Sequence, residues 1–317
     1  MKLVIIIPAF NEEKTIQDVI KSIPLEISDV SSKEILVVDD GSSDQTAILA
    51  KQAGAEVFSL SRHSGLGQAF ATGIELALQK KADLACVIDA DCQFDGQDIP
   101  FLIEPILKNG ADVVLGSRFM TGGSADGISQ TKLWGNKFMA RFISFLCKNR
   151  FFDVACGFRA YSREALLNIN LFGNFTYTQE LVLSLYFKNL NIQEKPIIAR
   201  YFPERKSSVS GNLFSYGLRT LKIIFRAMLD FKPLQFFGGA GIFLAGVGFL
   251  IDIFVFGFFL KTGGFSPYKT LGGFGLSFIA LGIIIFTIGL VADILDRMRQ
   301  NQERLLYLQK KKIYYGN

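Results

Sequence analysis

Leu84-Ala85-Cys86-Val87-Ile88-Asp89-Ala90-Asp91 is the stretch on which the fold turns. Five apolar residues in a row read as a buried strand of a mostly parallel sheet. Two carboxylates, one residue apart, stand at its end. An ionised carboxylate is costly to bury without a cation. A hard divalent ion is the natural partner, because Mg²⁺ takes one or two carboxylates and then substrate phosphate oxygens. The pattern points to a protein that handles a diphosphate.

The chain around this motif alternates between strands and helices. Residues 2–7, 34–38, 56–60 and 112–116 read as further strands. Helices are expected from Glu12 to about Ser22, from Ser43 or Asp44 to about Ala53, and over 67–79 and 98–109. Acidic residues in the first turn of the first helix suit its dipole. This alternation predicts an α/β fold with a mostly parallel sheet. Ligands then gather at the carboxyl ends of the strands. Asn11, Asp39, Asp40, Asp89, Asp91 and Arg118 all fall at such ends.

Hydrophobicity is unevenly spread along the 317 residues, half of which are apolar. Residues 1–210 mix charges and apolar runs like a globular domain. Stretches 236–260 and 271–292 are nearly continuous apolar segments. Each has the ~20 residues that cross a hydrocarbon core of roughly 30 Å; a pair of buried core helices is the alternative. Asp252 interrupts the first and is expected to face the other helix, water or a headgroup. Basic residues precede the first stretch (Arg219, Lys222, Arg226, Lys232) and follow the second (Arg297, Arg299, Arg304, Lys310-Lys311-Lys312). The positive-inside rule then places both flanks, and with them both termini and the first 210 residues, in the cytoplasm. Residues 2–7 are too short for a signal-peptide core. The basic amphipathic segments 136–148, with Phe138, Phe142, Phe145 and Leu146 near one face, and 211–230 suit either a membrane interface or a protein core. The expected organisation is a domain over 1–210, an interfacial segment over 211–233, a membrane hairpin over 234–293 and a basic tail over 294–317.

Net charge is +5 and concentrates near the apolar stretches, which fits an anionic membrane face. The first 210 residues carry no basic stripe with interleaved aromatics, so nucleic acid is not expected as a partner. Four cysteines without C-x-x-C spacing are read as reduced thiols. His63, the single histidine, is read as a loop residue after the third strand.

Four segments in order carry a resemblance: Ile7-Pro8-Ala9-Phe10-Asn11-Glu12-Glu13, Val37-Val38-Asp39-Asp40-Gly41-Ser42-Ser43-Asp44, Asp89-Ala90-Asp91-Cys92-Gln93 and Gly116-Ser117-Arg118. Together they resemble family 2 glycosyltransferases of the GT-A fold. The nearer branch is that of polyprenyl- and dolichyl-phosphate mannose, glucose and N-acetylglucosamine synthases. The resemblance implies a GT-A domain followed by a two-helix transmembrane hairpin. It also implies transfer of one hexose from a nucleotide sugar to a polyprenyl or dolichyl phosphate, with Mg²⁺ or Mn²⁺ as cofactor.

The resemblance assigns roles residue by residue. Pro8, Phe10, Asn11, Glu12 and Asp39 would contact the nucleoside, with Asp40, Gly41 and Ser42 letting the backbone pass close to it. Asp91 would ligate the metal, Asp89 would bind ribose or act on the metal from farther out, and Gln93 would assist. Arg118 and Lys132 would hold the lipid phosphate. Glu180 would contact the sugar, and Arg205, Lys206 and Ser207 would form a lid over the donor phosphates. Asp153, in Asp153-Val154-Ala155-Cys156-Gly157-Phe158-Arg159, is expected to be structural. A lipid phosphate monoester is largely dianionic at neutral pH, its second pKa being about 6, so no dedicated base is needed. The donor leans to UDP-linked glucose or N-acetylglucosamine over GDP-mannose. Another membrane acceptor, diacylglycerol or protein, and a non-catalytic nucleotide-sugar-binding scaffold are the alternatives. The oligomeric state is not legible.

Overall fold

The structure, a computed structural model, describes residues 1–170, 178–201, 225 and 228–316. Thr176, Tyr177, the expected lid residues Arg205, Lys206 and Ser207, and most of segment 211–230 lie outside the described residues. The chain divides into two units, Met1–Tyr216 with Leu306–Asn317, and Gly217–Leu305.

The first unit is built on β1 (Lys2–Ala9), in which Leu3, Val4, Ile5, Ile6 and Ile7 have no exposed surface. Apolar side chains on both faces of the pleat require cover on both sides, which helices supply. Further strands are β2 (Ser32–Asp39), β3 (Glu56–Ser59), β4 (Leu84–Val87) and β5 (Val113–Ser117). Helices α1 (Ile16–Ser22), α2 (Thr46–Gln52), α3 (Leu66–Gln79) and α4 (Ile99–Asn109) connect them. With β7 (Arg159–Ser162) and β8 (Ile192–Pro196) they make a seven-stranded sheet of order β3-β2-β1-β4-β7-β5-β8. Every pairing is parallel except those of β7, which runs antiparallel to β4 and β5. Its first residue, Arg159, is level with Val87 and Leu115 near the ends of those strands. The reversal therefore delivers residues 153–158 to the same sheet edge as Asp89 and Arg118.

A small second sheet pairs β6 (Ser124–Asp126) with β9 (Ile198–Arg200). Its strand β6 lies in the Gly- and Ser-rich stretch in which the sequence shows no strand pattern. Helix α5 spans Gln130–Cys147, starting six residues before the expected 136 because Ser129 caps it, its side chain accepting from the Lys132 amide at 3.4 Å. Its inner face is Gly135, Met139, Ala140, Ile143, Leu146 and Cys147. Leu146 thus belongs to the core, and the outward aromatics are Trp134, Phe138 and Phe145, 69%, 41% and 77% exposed. Helices α6 (Arg163–Asn168) and α7 (Gln179–Phe187) complete the described part of the domain.

The end of the chain belongs to this domain as well. Tyr315 donates its hydroxyl proton to Ala82 O at 2.6 Å, and the Arg163 guanidinium lies 4.5 Å from the Tyr315 ring centre. Arg163 also pairs with Asp83, whose other carboxylate oxygen accepts from the Lys2 amide at 2.8 Å. Lys310 donates to Ile169 O and Asn170 Oδ1, each at 2.7 Å. The last part of the basic tail, from Leu306, whose role the sequence does not disclose, is thus docked on this domain beside the start of β4 and the end of α6.

The second unit holds two helices, Gly239–Thr262 and Lys269–Tyr315 as far as Leu305, each long and apolar enough to cross a membrane. Only 11% of each apolar window is buried, unlike the mostly buried helices of a protein core. They pack backbone to backbone: a Cβ on Gly248 would lie 2.5 Å from Gly275 O, and one on Gly282 2.6 Å from Gly241 O. Such close approach through small residues is how helices associate in lipid. Asp252 faces the other helix, the first of its expected surroundings. A Cβ on Gly275 would lie 2.2 Å from Asp252 Oδ1.

Burial lowers the Lys310 ammonium pKa from 10.5 to about 8. In the unfolded chain this lysine holds its proton to higher pH than in the folded one. Its contribution to stability is therefore least below about 8 and grows as pH rises towards 10.5. Thermal unfolding of the detergent-solubilised chain, compared with Lys310→Met between pH 7.5 and 10, should show the wild type gaining on the variant as pH rises. Parallel curves would refute the assignment.

Candidate active site

Three strand ends meet on one side of the sheet. After β1, Asn11 adopts the left-handed region (φ 55°), which is uncommon for a residue with a side chain. Its amide donates to Ser42 Oγ at 2.9 Å, and its Oδ1 accepts from the Ser43 amide at 2.9 Å. The Glu12 amide donates to Thr46 Oγ1 at 2.7 Å. The Asp44 carboxylate accepts from the Thr46 amide at 3.0 Å, so it serves the start of α2. Asn11 thus ties the β1 exit to the β2 turn rather than capping its own helix.

Asp39 and Asp40, at the end of β2, are 3% and 2% exposed. Asp39 Oδ1 accepts from the Ser42 amide at 3.0 Å. Asp40 receives three donors from the loop after β3: the amides of Ser64 and Gly65, each at 2.8 Å, and His63 Nδ1 at 2.9 Å. Gly41 has φ 75°, and a Cβ there would meet the Arg62 carbonyl carbon at 2.8 Å. Only glycine lets this turn lie against the β3 loop. His63 also stacks on Phe10, ring centres 3.9 Å apart.

Asp89, Ala90 and Asp91 follow β4, and Cys92 after them is again left-handed (φ 58°). Asn11 and Cys92 thus place two such residues at adjacent strand ends. The Gln93 amide donates to Asp91 Oδ1 at 3.1 Å. Burial nevertheless raises the Asp91 pKa, and backbone donors, the Gln93 amide first, only partly offset it. A cation is the group that would restore the ionised form. The side chains of Gln93, Asp18, Asp98 and Arg200 line a neighbouring cavity of about 310 Å³, whose walls do not include Asp89 or Asp91. Among the described residues no three His, Cys, Asp or Glu side chains cluster as a metal cage. Two carboxylates fit an ion whose remaining ligands come from phosphate and water.

Across β4 the charges reverse. Arg118, 7% exposed, follows β5 and grips Asp153, which has no exposed surface. Its Nε donates to Asp153 Oδ2 at 2.6 Å and Nη2 to Oδ1 at 2.9 Å, a bidentate fork. Nη1 donates to the Tyr201 hydroxyl. Burial works against the Arg118 charge, and Asp153 more than offsets it, so the guanidinium pKa is raised. Asp153 is placed in turn by Glu194, which accepts from the amides of Phe152 and Asp153, both at 2.9 Å. Arg159 is 1% exposed and donates to the carbonyls of Cys156, Val154 and Thr178 at 2.7, 2.9 and 2.9 Å. It is the pin that folds this loop.

Lys132, in the first turn of α5, has its pKa lowered by burial and by the Arg118 charge. These two expected phosphate ligands therefore lie within electrostatic reach of each other. Glu180 is buried in the first turn of α7. The structure thus brings together Phe10, Asn11, Glu12, Asp39, Asp40, Gly41 and Ser42 on one side of Asp89 and Asp91. It sets Arg118 beyond them on β5, with Lys132 beside it. What the sequence reading lacked is that Asp153, Tyr201 and Glu194 support Arg118. The Asp-x₅-Arg spacing from Asp153 to Arg159 was the available signal.

Asp153→Asn should leave the Arg118 charge buried and only half compensated. Breaking a buried pair in this way costs about 3–5 kcal/mol. Urea unfolding of the variant should show a midpoint well below wild type, and an unchanged midpoint would remove Asp153 from its supporting role.

Comparison with known proteins agrees with this geometry. The model of "Glycosyl transferase family 2" matches residues 4–169. Glycosyltransferase AglJ of Haloferax volcanii is 27% identical over 311 residues, 96% of this chain and 97% of its own length. A UDP-N-acetylglucosamine–dolichyl-phosphate N-acetylglucosaminyltransferase of Methanococcus voltae is 32% identical over 218 residues, covering 62% of this chain and 85% of its own. Glucosyl-3-phosphoglycerate synthase of Mycobacterium tuberculosis, solved with Mn²⁺, UDP and glucosyl-3-phosphoglycerate, superposes with a TM-score of 0.54 at 25% identity. It covers 70% of this chain and 79% of that one. A parallel sheet with paired carboxylates at the end of its central strand, and a family match across that whole region, place this chain among the family 2 glycosyltransferases, with the GT-A fold.

Proposed function

We propose that this enzyme transfers one hexose from a nucleotide diphosphate sugar to a polyprenyl or dolichyl phosphate at the cytoplasmic face of a membrane. The observation that carries the reading is the order of groups along the strand ends. Asp89 and Asp91 end the central strand β4. The polar turn and aromatic stack lie over β1, β2 and β3 on one side, and the cations Arg118 and Lys132 lie on the other. Strands are about 4.8 Å apart, so β2 is two strands, about 10 Å, from β4. That spacing suits a nucleoside over β1–β3 whose diphosphate reaches Asp89 and Asp91. The acceptor phosphate then falls to the β5 side.

Asp91, with Asp89, would hold Mg²⁺ or Mn²⁺, with Gln93 contributing the amide that orients Asp91. The bound cation supplies neutralisation of charge on the departing diphosphate. A lipid phosphate oxygen attacks the anomeric carbon as the bond from that carbon to the diphosphate oxygen breaks, inverting the centre. The nucleophile is already an anion, and positioning it is the protein's task. Asp153 satisfies much of the Arg118 charge, so Lys132 is the more available cation for the acceptor. Glu180 would face the sugar, and Arg205, Lys206 and Ser207 would close over the donor. UDP is favoured as the carrier nucleotide: the Methanococcus voltae relative is named for a UDP sugar, and the solved neighbour binds UDP with Mn²⁺.

Two further features support the membrane face. The apolar helices are flanked by basic residues, as the positive-inside rule requires of cytoplasmic ends. Helix α5 carries Trp134, Phe138 and Phe145 outward beside exposed Lys137, Arg141 and Lys148, and no acidic residue. Aromatics level with cations suit the interface of an anionic bilayer.

The test is transfer of labelled sugar to a polyprenyl phosphate by the purified full chain. Asp91→Asn should lower turnover by about 100-fold or more with the fold retained. EDTA should abolish it, and Mn²⁺ or Mg²⁺ restore it. Lys132→Ala should raise the KM for the lipid about tenfold and leave that for the donor nearly unchanged. Absence of any lipid-linked product across UDP- and GDP-sugars would sink the proposal.

A further inference from the structure

Resting on the transfer reading above, we infer that His63 is a nucleobase-contacting residue of the donor site, forming with Phe10 a two-ring ledge beside Asp39. The sequence reads His63 only as part of a loop. Three features of its surroundings point to a ligand. Its ring stacks on Phe10 with centres 3.9 Å apart and planes inclined by 28°. Its orientation is fixed by the Nδ1–H donating to Asp40 Oδ2 at 2.9 Å, which turns Nε2 away from the carboxylate. Its loop is latched at two more points, the Ser64 and Gly65 amides on Asp40, and lies against Gly41.

A surface histidine held by three anchors across two strand ends is not an ordinary loop side chain. Packing does not require it, because its side chain is 55% exposed, and Phe10 beneath it is 39% exposed. The ledge stays open to an incoming ring. It sits on the β1–β3 half of the sheet, away from Arg118 and Lys132, where an apolar, flat, hydrogen-bonding group would lie if the diphosphate is at Asp89 and Asp91. A nucleobase has that chemistry; a phosphate or a hexose does not. The fixed imidazole offers Nε2 to the base edge, while the rings supply stacking beyond area burial.

The test is calorimetric titration of the full chain in detergent with UDP, GDP and inorganic pyrophosphate, each with Mn²⁺. For the nucleotide that the wild type binds more tightly, His63→Ala should weaken affinity about 3- to 10-fold. Pyrophosphate binding should be unchanged, because that ligand has no base. His63→Phe, which keeps a ring on Phe10 but loses the bond to Asp40, should retain more nucleotide affinity than His63→Ala. Unchanged nucleotide affinity in His63→Ala would overturn the inference alone. So would an equal loss for pyrophosphate, which would mean that the loop had collapsed. A wild type that binds neither nucleotide would overturn the transfer reading and this inference together.

Discussion

A carboxylate lowered into the edge of a covered sheet must find positive charge or hydrogen-bond donors, and the whole site is organised by that demand. Three carboxylates at neighbouring strand ends meet it in three ways. Asp153 is paired with a guanidinium in a bidentate fork. Asp40 is satisfied by two amides and an imidazole N–H. Asp91 has the Gln93 amide but remains disfavoured as an anion by burial. The first two carboxylates are held by donors of the protein itself, while burial holds the pKa of the third up.

The reversed strand β7 follows from the same demand. A purely parallel sheet would carry residues 153–158 to the far edge, since the loop before a parallel strand lies at its amino end. Running β7 backwards between β4 and β5 puts Asp153 beside Arg118 and places Arg159 beneath the loop it pins. The sheet is thereby divided at β4. Its β1–β3 half presents backbone turns, hydroxyls and two stacked rings, suited to neutral hydrogen-bonding surfaces. Its β5 half presents two cations, one of them already engaged, suited to an anion. The proposed transfer from a nucleotide sugar to a phosphate would use those two surfaces on opposite sides of Asp89 and Asp91.

Much of this was legible in the sequence because parallel strands are written as unbroken apolar runs. β1 and β4 stand out for that reason, and the acids that follow them stand out by contrast. Helix boundaries needed local chemistry. Ser129 as a cap moves the start of α5 to Gln130, where the apolar pattern is still sparse. The three-residue strands β6 and β9 are too short and polar to leave a periodic trace. The pairings Arg118–Asp153, His63–Asp40 and Tyr315–Ala82 join residues 35, 23 and 233 positions apart. No local pattern encodes such contacts, because they are set by how the sheet closes. The residue types could be seen, whereas the partners could not.

The two long apolar helices obey the same rule. In a hydrocarbon environment no water could solvate a carboxylate, and Asp252 lies against Gly275 of the facing helix. Glycine at 275 leaves room for that oxygen, and the paired glycines 241, 248 and 282 bring the two backbones close. A larger side chain at 275 would force Asp252 out of the notch and towards hydrocarbon, where an unpaired polar group is most costly. Close packing of the two helices and concealment of Asp252 are therefore a single structural requirement. It is the counterpart of the pairing that Arg118 gives Asp153 in the sheet.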